Sequence, residues 1–269
     1  MPELVEVETT RRQLSKVLEN KTIRKVSVFL DKIVYNDKEN FINKLEENTI
    51  KRIDRRGKWL LFELIDDYLI VHFRMEGRFY LLDKNSEKSK HDYVIFEFED
   101  FSLHYNDPRL FGKMEIIKKD GLKKFFDDKN LGLEYDDERL TPKYLKEKFK
   151  NHSVEIKKIL LDQSFITGIG NIYANEILFE SRINPKTKAN RLSKNKLNEI
   201  IKNTKLVFEK SLEYNGTYPN IDGKRGEFEK YFKVHGRKNE DCYVCGSKIV
   251  KEEIGSRGTY YCPLCQKKS

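Results

Sequence analysis

Cys242-Tyr243-Val244-Cys245 and Cys262-Pro263-Leu264-Cys265 are the stretch on which the fold reading turns. Each C-x-x-C turn offers two thiols, and sixteen residues separate the two pairs. Two such turns at that separation fit a tetrahedral Zn2+ site with four thiolate ligands. The chain has no fifth cysteine, so no thiol remains for other chemistry. Two disulfides, or four unrelated thiols, are the competing reading, and disulfides are rare in a reducing cytosol. Four protein ligands leave no open coordination position, so the metal stabilises a fold and does not catalyse. The segment Cys242–Cys265 is too short to bury a core unaided, and metal ligation takes the place of that core. The first expectation is a metal-stapled hairpin carried by a larger protein.

Upstream of the hairpin the periodicity changes once. After a helical stretch from Glu6 to about Glu19, residues 22–117 read as strands. Val26 and Val28 alternate with Lys25 and Ser27. Trp59–Ile65 and Tyr68–Phe73 flank an Asp66-Asp67 turn, and Tyr93–Phe98 and Phe101–Tyr105 flank a Glu99-Asp100 turn. Strands joined by short acidic turns predict antiparallel meanders and hence a β-sandwich. From Thr141 the period lengthens: Thr141-Pro142 reads as a cap followed by proline at the first helical position. Leu197, Ile200, Ile201, Thr204, Val207, Phe208 and Ser211 share one helical face, with Ser193 as its cap. The expected fold class is therefore α+β. A β-sandwich with a leading helix spans 1–118, a charged linker 119–140, a helical domain 141–234 and a zinc finger 235–269. Within the linker region, Leu131-Gly132-Leu133 is apolar enough to pack.

The chain carries 53 Lys plus Arg against 44 Asp plus Glu, a net charge of +9. Such an excess suits a polyanion such as nucleic acid, whose neutralised phosphates release counterions. A generally lysine-rich composition gives the same balance, so charge alone does not choose between the two. No run approaches the roughly 20 apolar residues that span a bilayer, and no signal peptide precedes the first polar segment. The expectation is a soluble cytoplasmic protein with no membrane partner.

Two stretches carry chemistry. The chain opens Met1-Pro2-Glu3-Leu4-Val5-Glu6-Val7-Glu8-Thr9. Methionine before a small residue is usually trimmed, which would leave Pro2 as a terminal secondary amine. An α-amino group with a pKa near 8 is partly unprotonated and nucleophilic at neutral pH. Its attack on a sugar aldehyde carbon gives an iminium that acidifies the neighbouring carbon, and Glu3 beside it is placed to act as a general acid. Met-Pro-Glu also opens many ordinary proteins. The second stretch runs from Ile166 through Thr167-Gly168-Ile169-Gly170-Asn171 to Glu176. Two glycines allow a tight turn before a new helix, whose free N–H groups and the Asn171 amide can hold a phosphate. A plain interhelical turn would look the same.

Taken in order, these and three further motifs resemble the formamidopyrimidine-DNA glycosylases over nearly the full length. Pro2-Glu3-Leu4 is similar to the family terminus, with Val5 where a second proline is usual. Arg55-Arg56-Gly57-Lys58-Trp59-Leu60 resembles the strand with the family's essential lysine. Leu103 to Gly112, containing Asn106-Asp107-Pro108-Arg109-Leu110-Phe111, resembles the intercalation loop. Leu160-Leu161-Asp162-Gln163 through Glu176 resembles the helix–two-turn–helix, and Gly255 to Pro263 the zinc hairpin's tip.

The resemblance implies roles residue by residue. Pro2 would attack C1′ of the damaged nucleotide, with Glu3 as proton donor. Lys58 would grip a backbone phosphate from its strand, and Arg257 would hold the phosphate beside the lesion. Asn171 would bind the same region of backbone, and Lys157 is a further phosphate candidate that also reads as a solvated helix face. Met75, Arg109 and Phe111 match the three residues that fill the gap left by an everted base; core packing is the alternative for Met75 and Phe111. His91 matches a position that contacts DNA. The implied partner is double-stranded DNA with oxidised bases or abasic sites, handled by a nucleoid-associated monomer with one structural zinc. Two departures stand out. The Asn215–Phe228 stretch is a few residues shorter than the family's loop over the flipped base, and Leu110 stands where a second basic residue is common. Three activities therefore stay open: excision of oxidised purines with abasic-site cleavage, endonuclease VIII-like excision of oxidised pyrimidines, and non-catalytic zinc-ribbon binding of DNA.

Overall fold

The computed structural model describes residues 2–267 of the 269-residue chain. They form two compact units. One runs up to Lys129 and takes in Asn215–Gly226; the other comprises Asn130–Tyr214 and the chain from Glu227 onward. The stretch Asn215–Gly226, which sequence groups with the helical domain, thus packs with the β unit.

The first unit opens with helix α1 (Leu4–Leu18), which buries Val7, Leu14 and Leu18. Strand β1 (Lys25–Val28) and helix α2 (Lys38–Leu45) follow. The remaining strands are β2 (Arg52–Arg56), β3 (Trp59–Glu63), β4 (Asp67–His72), β5 (Arg78–Asp83), β6 (Asp92–Glu97), β7 (Phe101–Asn106) and β8 (Lys113–Lys118). They make two four-stranded antiparallel sheets, ordered β1-β6-β7-β5 and β2-β3-β4-β8. Leu60, Phe62, Leu69 and Val71 of one sheet share a core with Phe79, Val94, Phe96, Leu103 and Tyr105 of the other. Phe62 and Phe79 meet edge-to-face across it at 5.9 Å. This is the sandwich that the alternation and acidic turns predict.

Two elements depart from the expectation. Residues 22–117 do not all read out as strands, because α2 interrupts them. Asp37 caps this helix by accepting from the Asn40 N–H at 3.0 Å, and Phe41 and Leu45, one turn apart, are buried. The linker region is also structured: helix α3 (Leu122–Asp128) lays Phe125 edge-on against Trp59 at 5.2 Å. Beyond it Leu131-Gly132-Leu133 packs as its apolarity suggests, with the Gly132 N–H donating to the Gln163 carbonyl at 2.8 Å.

The second unit contains α4 (Pro142–Phe149), α5 (Ile156–Leu161), α6 (Asn171–Glu180), α7 (Lys194–Glu213) and the hairpin β9 (Val250–Ile254)–β10 (Arg257–Tyr261). Thr141 caps α4 with proline at its first turn, and Ser193 caps α7. The buried face of α7 is Leu197, Ile200, Asn203, Thr204, Val207, Phe208 and Ser211. A small core of Phe179, Val234, Cys242, Ile249 and Cys262 seats the hairpin against α6. Among the described residues no helix is long and apolar enough to cross a membrane.

Candidate active site and metal centre

Pro2 is buried and Glu3 is 1% exposed, at the head of α1. The cap is reinforced by Glu6, whose Oε2 accepts from the Glu3 backbone N–H at 2.9 Å. The other oxygen of Glu6 accepts from the Thr217 N–H at 3.2 Å and the Thr217 hydroxyl at 3.0 Å. One carboxylate thereby fastens the Pro2-Glu3 turn to the Asn215–Gly226 loop. Gly216 makes this approach possible: its φ is +69°, and a Cβ there would lie 2.9 Å from Glu6 Oε1. The trimming of Met1 concerns a residue outside those described.

Lys58 is only 9% exposed and does not lie on a strand as the sequence suggested. It occupies the second position of a two-residue hairpin loop, since Arg56 pairs with Trp59 across the β2–β3 turn. Gly57 at φ 56° supplies the left-handed backbone that such a turn needs at its first position. Nearby, burial, together with the charges of Arg74 and Lys58, holds His72 down to about 3. Its Nδ1 accepts from the Arg74 N–H at 3.0 Å, so the ring is neutral at ordinary pH and the positive charge belongs to lysine and arginine.

Met75 is half-buried on the turn between β4 and β5, where Arg74 has φ 56°. Arg109 and Phe111, about half exposed, lie on the β7–β8 loop. The Arg109 guanidinium stands 5.3 Å over the Phe111 ring and 4.0 Å from the Glu76 carboxylate, beside Met75. The structure therefore gathers Met75, Arg109 and Phe111 onto adjacent turns, and core packing does not describe Phe111. His91 is half-buried, with Nδ1 3.4 Å from the Tyr93 hydroxyl.

In the second unit, Asn171 opens α6, and its Nδ2 donates to the Gly258 carbonyl at 3.0 Å. That bond ties the start of α6 to the residue after Arg257. Arg257 is exposed at the first position of β10, after a Gly255-Ser256 turn with φ 59° and 56°. Both central residues being left-handed is the type I′ pattern of tight hairpins. Lys157 is not on a solvated face: it is 0% exposed, and its ammonium donates to the Asn171 carbonyl at 3.0 Å and to Asn175 Oδ1. Asn175 in turn donates from Nδ2 to His235 Nδ1 at 2.7 Å, and burial, with the charges of Lys157 and Lys251, holds that imidazole down to about 4. Glu176, which the sequence reading passed over, is 2% exposed and accepts from the backbone N–H groups of Lys233, Val234 and His235.

The four cysteines converge as their spacing predicts. All four sulfurs lie within 4.8 Å of one another, and none is in a disulfide. Cys242 and Cys265 are 3.9 Å apart, and Cys245 and Cys262 3.5 Å. A tetrahedron of Zn–S bonds of about 2.3 Å sets its sulfurs about 3.8 Å apart, so the donor set fits a structural zinc.

Residues 1–114 match the formamidopyrimidine-DNA glycosylase N-terminal domain, 131–221 the H2TH domain of the same enzymes, and 239–268 a zinc finger found in FPG and IleRS. A formamidopyrimidine-DNA glycosylase of Listeria innocua is 40% identical, covering 99% of this chain and 100% of its own. The chain belongs to the formamidopyrimidine-DNA glycosylase family. Crystal structures of the Lactococcus lactis member, bound to Fapy-dG DNA and to abasic-site DNA, superpose with a TM-score of 0.95. Each is 34% identical and covers 99% of this chain and 100% of that one. The sandwich, helix–two-turn–helix and zinc hairpin expected from sequence are the family's architecture.

Proposed function

We propose that this family member is a bifunctional base-excision enzyme that removes oxidised purines, 8-oxoguanine and formamidopyrimidines, and then cleaves the abasic strand. The observation that carries the reading is the Pro2-Glu3 terminus at the head of α1, bound through Glu6 to the Asn215–Gly226 loop. With Met1 removed, the Pro2 nitrogen attacks C1′ of an everted nucleotide. The C1′–N9 bond breaks, and the base leaves with its electron pair and takes up the proton that the Pro2 nitrogen gives up. Glu3 protonates the ring oxygen as the sugar opens, and the nitrogen lone pair closes the iminium. The iminium acidifies C2′, so loss of that proton expels the 3′ phosphate and a second elimination expels the 5′ phosphate. Lys58 and Arg257 hold these phosphates, with Asn171 at the start of α6 beside Arg257. Lys157 serves from beneath, bracing the Asn171 turn. Met75, Arg109 and Phe111 fill the gap, and Arg109 pairs with the orphaned base. His91 touches the backbone near them. One zinc, held by Cys242, Cys245, Cys262 and Cys265, keeps the hairpin folded and takes no part in the chemistry. The enzyme acts as a monomer on duplex DNA.

The test is product analysis on matched duplexes carrying 8-oxoguanine, thymine glycol or an abasic site. The proposal expects release of the purine lesion in preference to the pyrimidine, with phosphate left on both sides of the gap. Preference for thymine glycol would move the chain to the oxidised-pyrimidine branch. Binding without any strand scission would leave only a DNA-binding module.

A further inference from the structure

Asp107 is 0% exposed, and its carboxylate is filled by donors from the loop that follows it. Its Oδ1 accepts from the Arg109 N–H at 3.1 Å, and its Oδ2 from the Gly112 N–H at 2.7 Å. The Tyr105 hydroxyl donates to the same Oδ2 at 3.5 Å, and the Asp107 N–H donates to the His91 carbonyl at 3.0 Å. Between these bonds Leu110 is held at φ 60°, a left-handed conformation that a branched side chain rarely keeps without such support.

Tyr105 extends the arrangement to a second loop. It too is 0% exposed, and its hydroxyl sits between two glycines. A Cβ on Gly112 would fall 1.6 Å from that oxygen, and one on Gly77 2.2 Å from it. Gly112 closes the loop bearing Arg109 and Phe111, and Gly77 closes the turn bearing Met75. Across the top of the pair, Arg109 reaches Glu76. On the far side the Tyr218 hydroxyl donates to the Met75 carbonyl at 3.0 Å.

We infer that Asp107 and Tyr105 are positioning residues that join the Met75 turn, the His91 segment and the Arg109–Phe111 loop into one rigid insert. This rests on the reading of Met75, Arg109 and Phe111 as the groups that enter the DNA stack. Half-exposed side chains on separate mobile loops would lose binding free energy to ordering when they enter the duplex. Fixed to one buried carboxylate and one buried phenol, they arrive already ordered. Burial and the Asp107 charge keep the phenol protonated, so it remains a donor throughout the working pH range. Neither residue touches DNA or the reacting atoms.

The test uses the full-length protein with Asp107→Asn and, separately, Tyr105→Phe. Single-turnover release of formamidopyrimidine from a duplex is measured beside cleavage of a preformed abasic site, which has no base to evert. A 2-aminopurine next to the lesion reports unstacking, and thermal midpoints report folding. Displacing the insert by about 1 Å should slow base release and the 2-aminopurine rise together, by about 10- to 100-fold in Asp107→Asn. Abasic cleavage should fall less than about threefold, and Phe111→Ala should add little on top of Asp107→Asn, because coupled sites are non-additive. Parallel loss of both activities with the thermal midpoint would reduce the pair to ordinary structural roles and overturn the inference. So would unchanged base release in Asp107→Asn while Phe111→Ala alone abolishes it. If Phe111→Ala and Met75→Ala are themselves without effect, the stack-entry reading fails and takes this inference with it.

Discussion

Glu8 faces Arg11 at 2.8 Å and Arg12 at 2.7 Å along α1, and Arg55 of β2 at 3.3 Å. Burial pushes its carboxyl up, but the hydrogen bonds of Arg11 and Arg12 and the charges of Arg11 and Arg55 outweigh that and hold it at about 2, against an ordinary 4.5. As pH falls, the unfolded chain takes the proton first, so stability from this group is full above 4.5 and is lost between there and about 2. Thermal midpoints of the parent and Glu8→Gln should therefore differ most near neutrality and converge as pH approaches 2. A difference constant with pH would deny the arginine cluster that role. Lys157 makes a second residue-level prediction. Lys157→Met leaves the Asn171 carbonyl and Asn175 amide oxygen buried without their donor, at a cost of about 1–3 kcal/mol. Hydrogen exchange at the start of α6 should speed up accordingly. Unchanged protection there would show that the ammonium does not brace the turn.

At the level of elements, the zinc hairpin stands apart because its core is five residues, two of them ligands. Chelation, or Cys262→Ser, should remove amide protection from β9 and β10 and release Arg257 from its fixed position, while the β-sandwich keeps its protection. Retained hairpin protection in metal-free protein would contradict a metal-dependent fold. The C-x-x-C turns are readable because their ligands are local in sequence, as are the Thr141 and Ser193 caps and most of the buried face of α7, in which Asn203 is buried and Ile201 only partly so. The signals missed were of two kinds. Helix α2 carried a legible cap in Asp37 and a Phe41–Leu45 spacing, but lay inside a run dominated by strand alternation. Lys58 reads as strand from sequence because a two-residue turn marked only by Gly57 interrupts the pattern so briefly. The hub at Tyr105 and Asp107 is legible only in its local part, the Arg109 N–H two residues beyond Asp107; the partners at positions 77, 91 and 112 are brought together only by the folded sandwich.

For the whole molecule, the charge of +9 gains meaning from where the basic residues fall. If Lys58 and Arg257 each neutralise a phosphate, Arg257→Ala should weaken binding to any duplex. It should also reduce the slope of log K against log salt by about 0.9. An unchanged slope with weaker binding would mean that Arg257 acts through the hairpin's structure and not on a phosphate. The central claim concerns the terminus, and borohydride trapping on an abasic duplex, followed by mass mapping of the DNA-bound peptide, tests it most directly. The account predicts a reduced adduct on the Pro2 nitrogen, lost when Met1 is retained or a tag precedes it. An adduct mapped to a lysine, or one that persists with the terminus blocked, would contradict it.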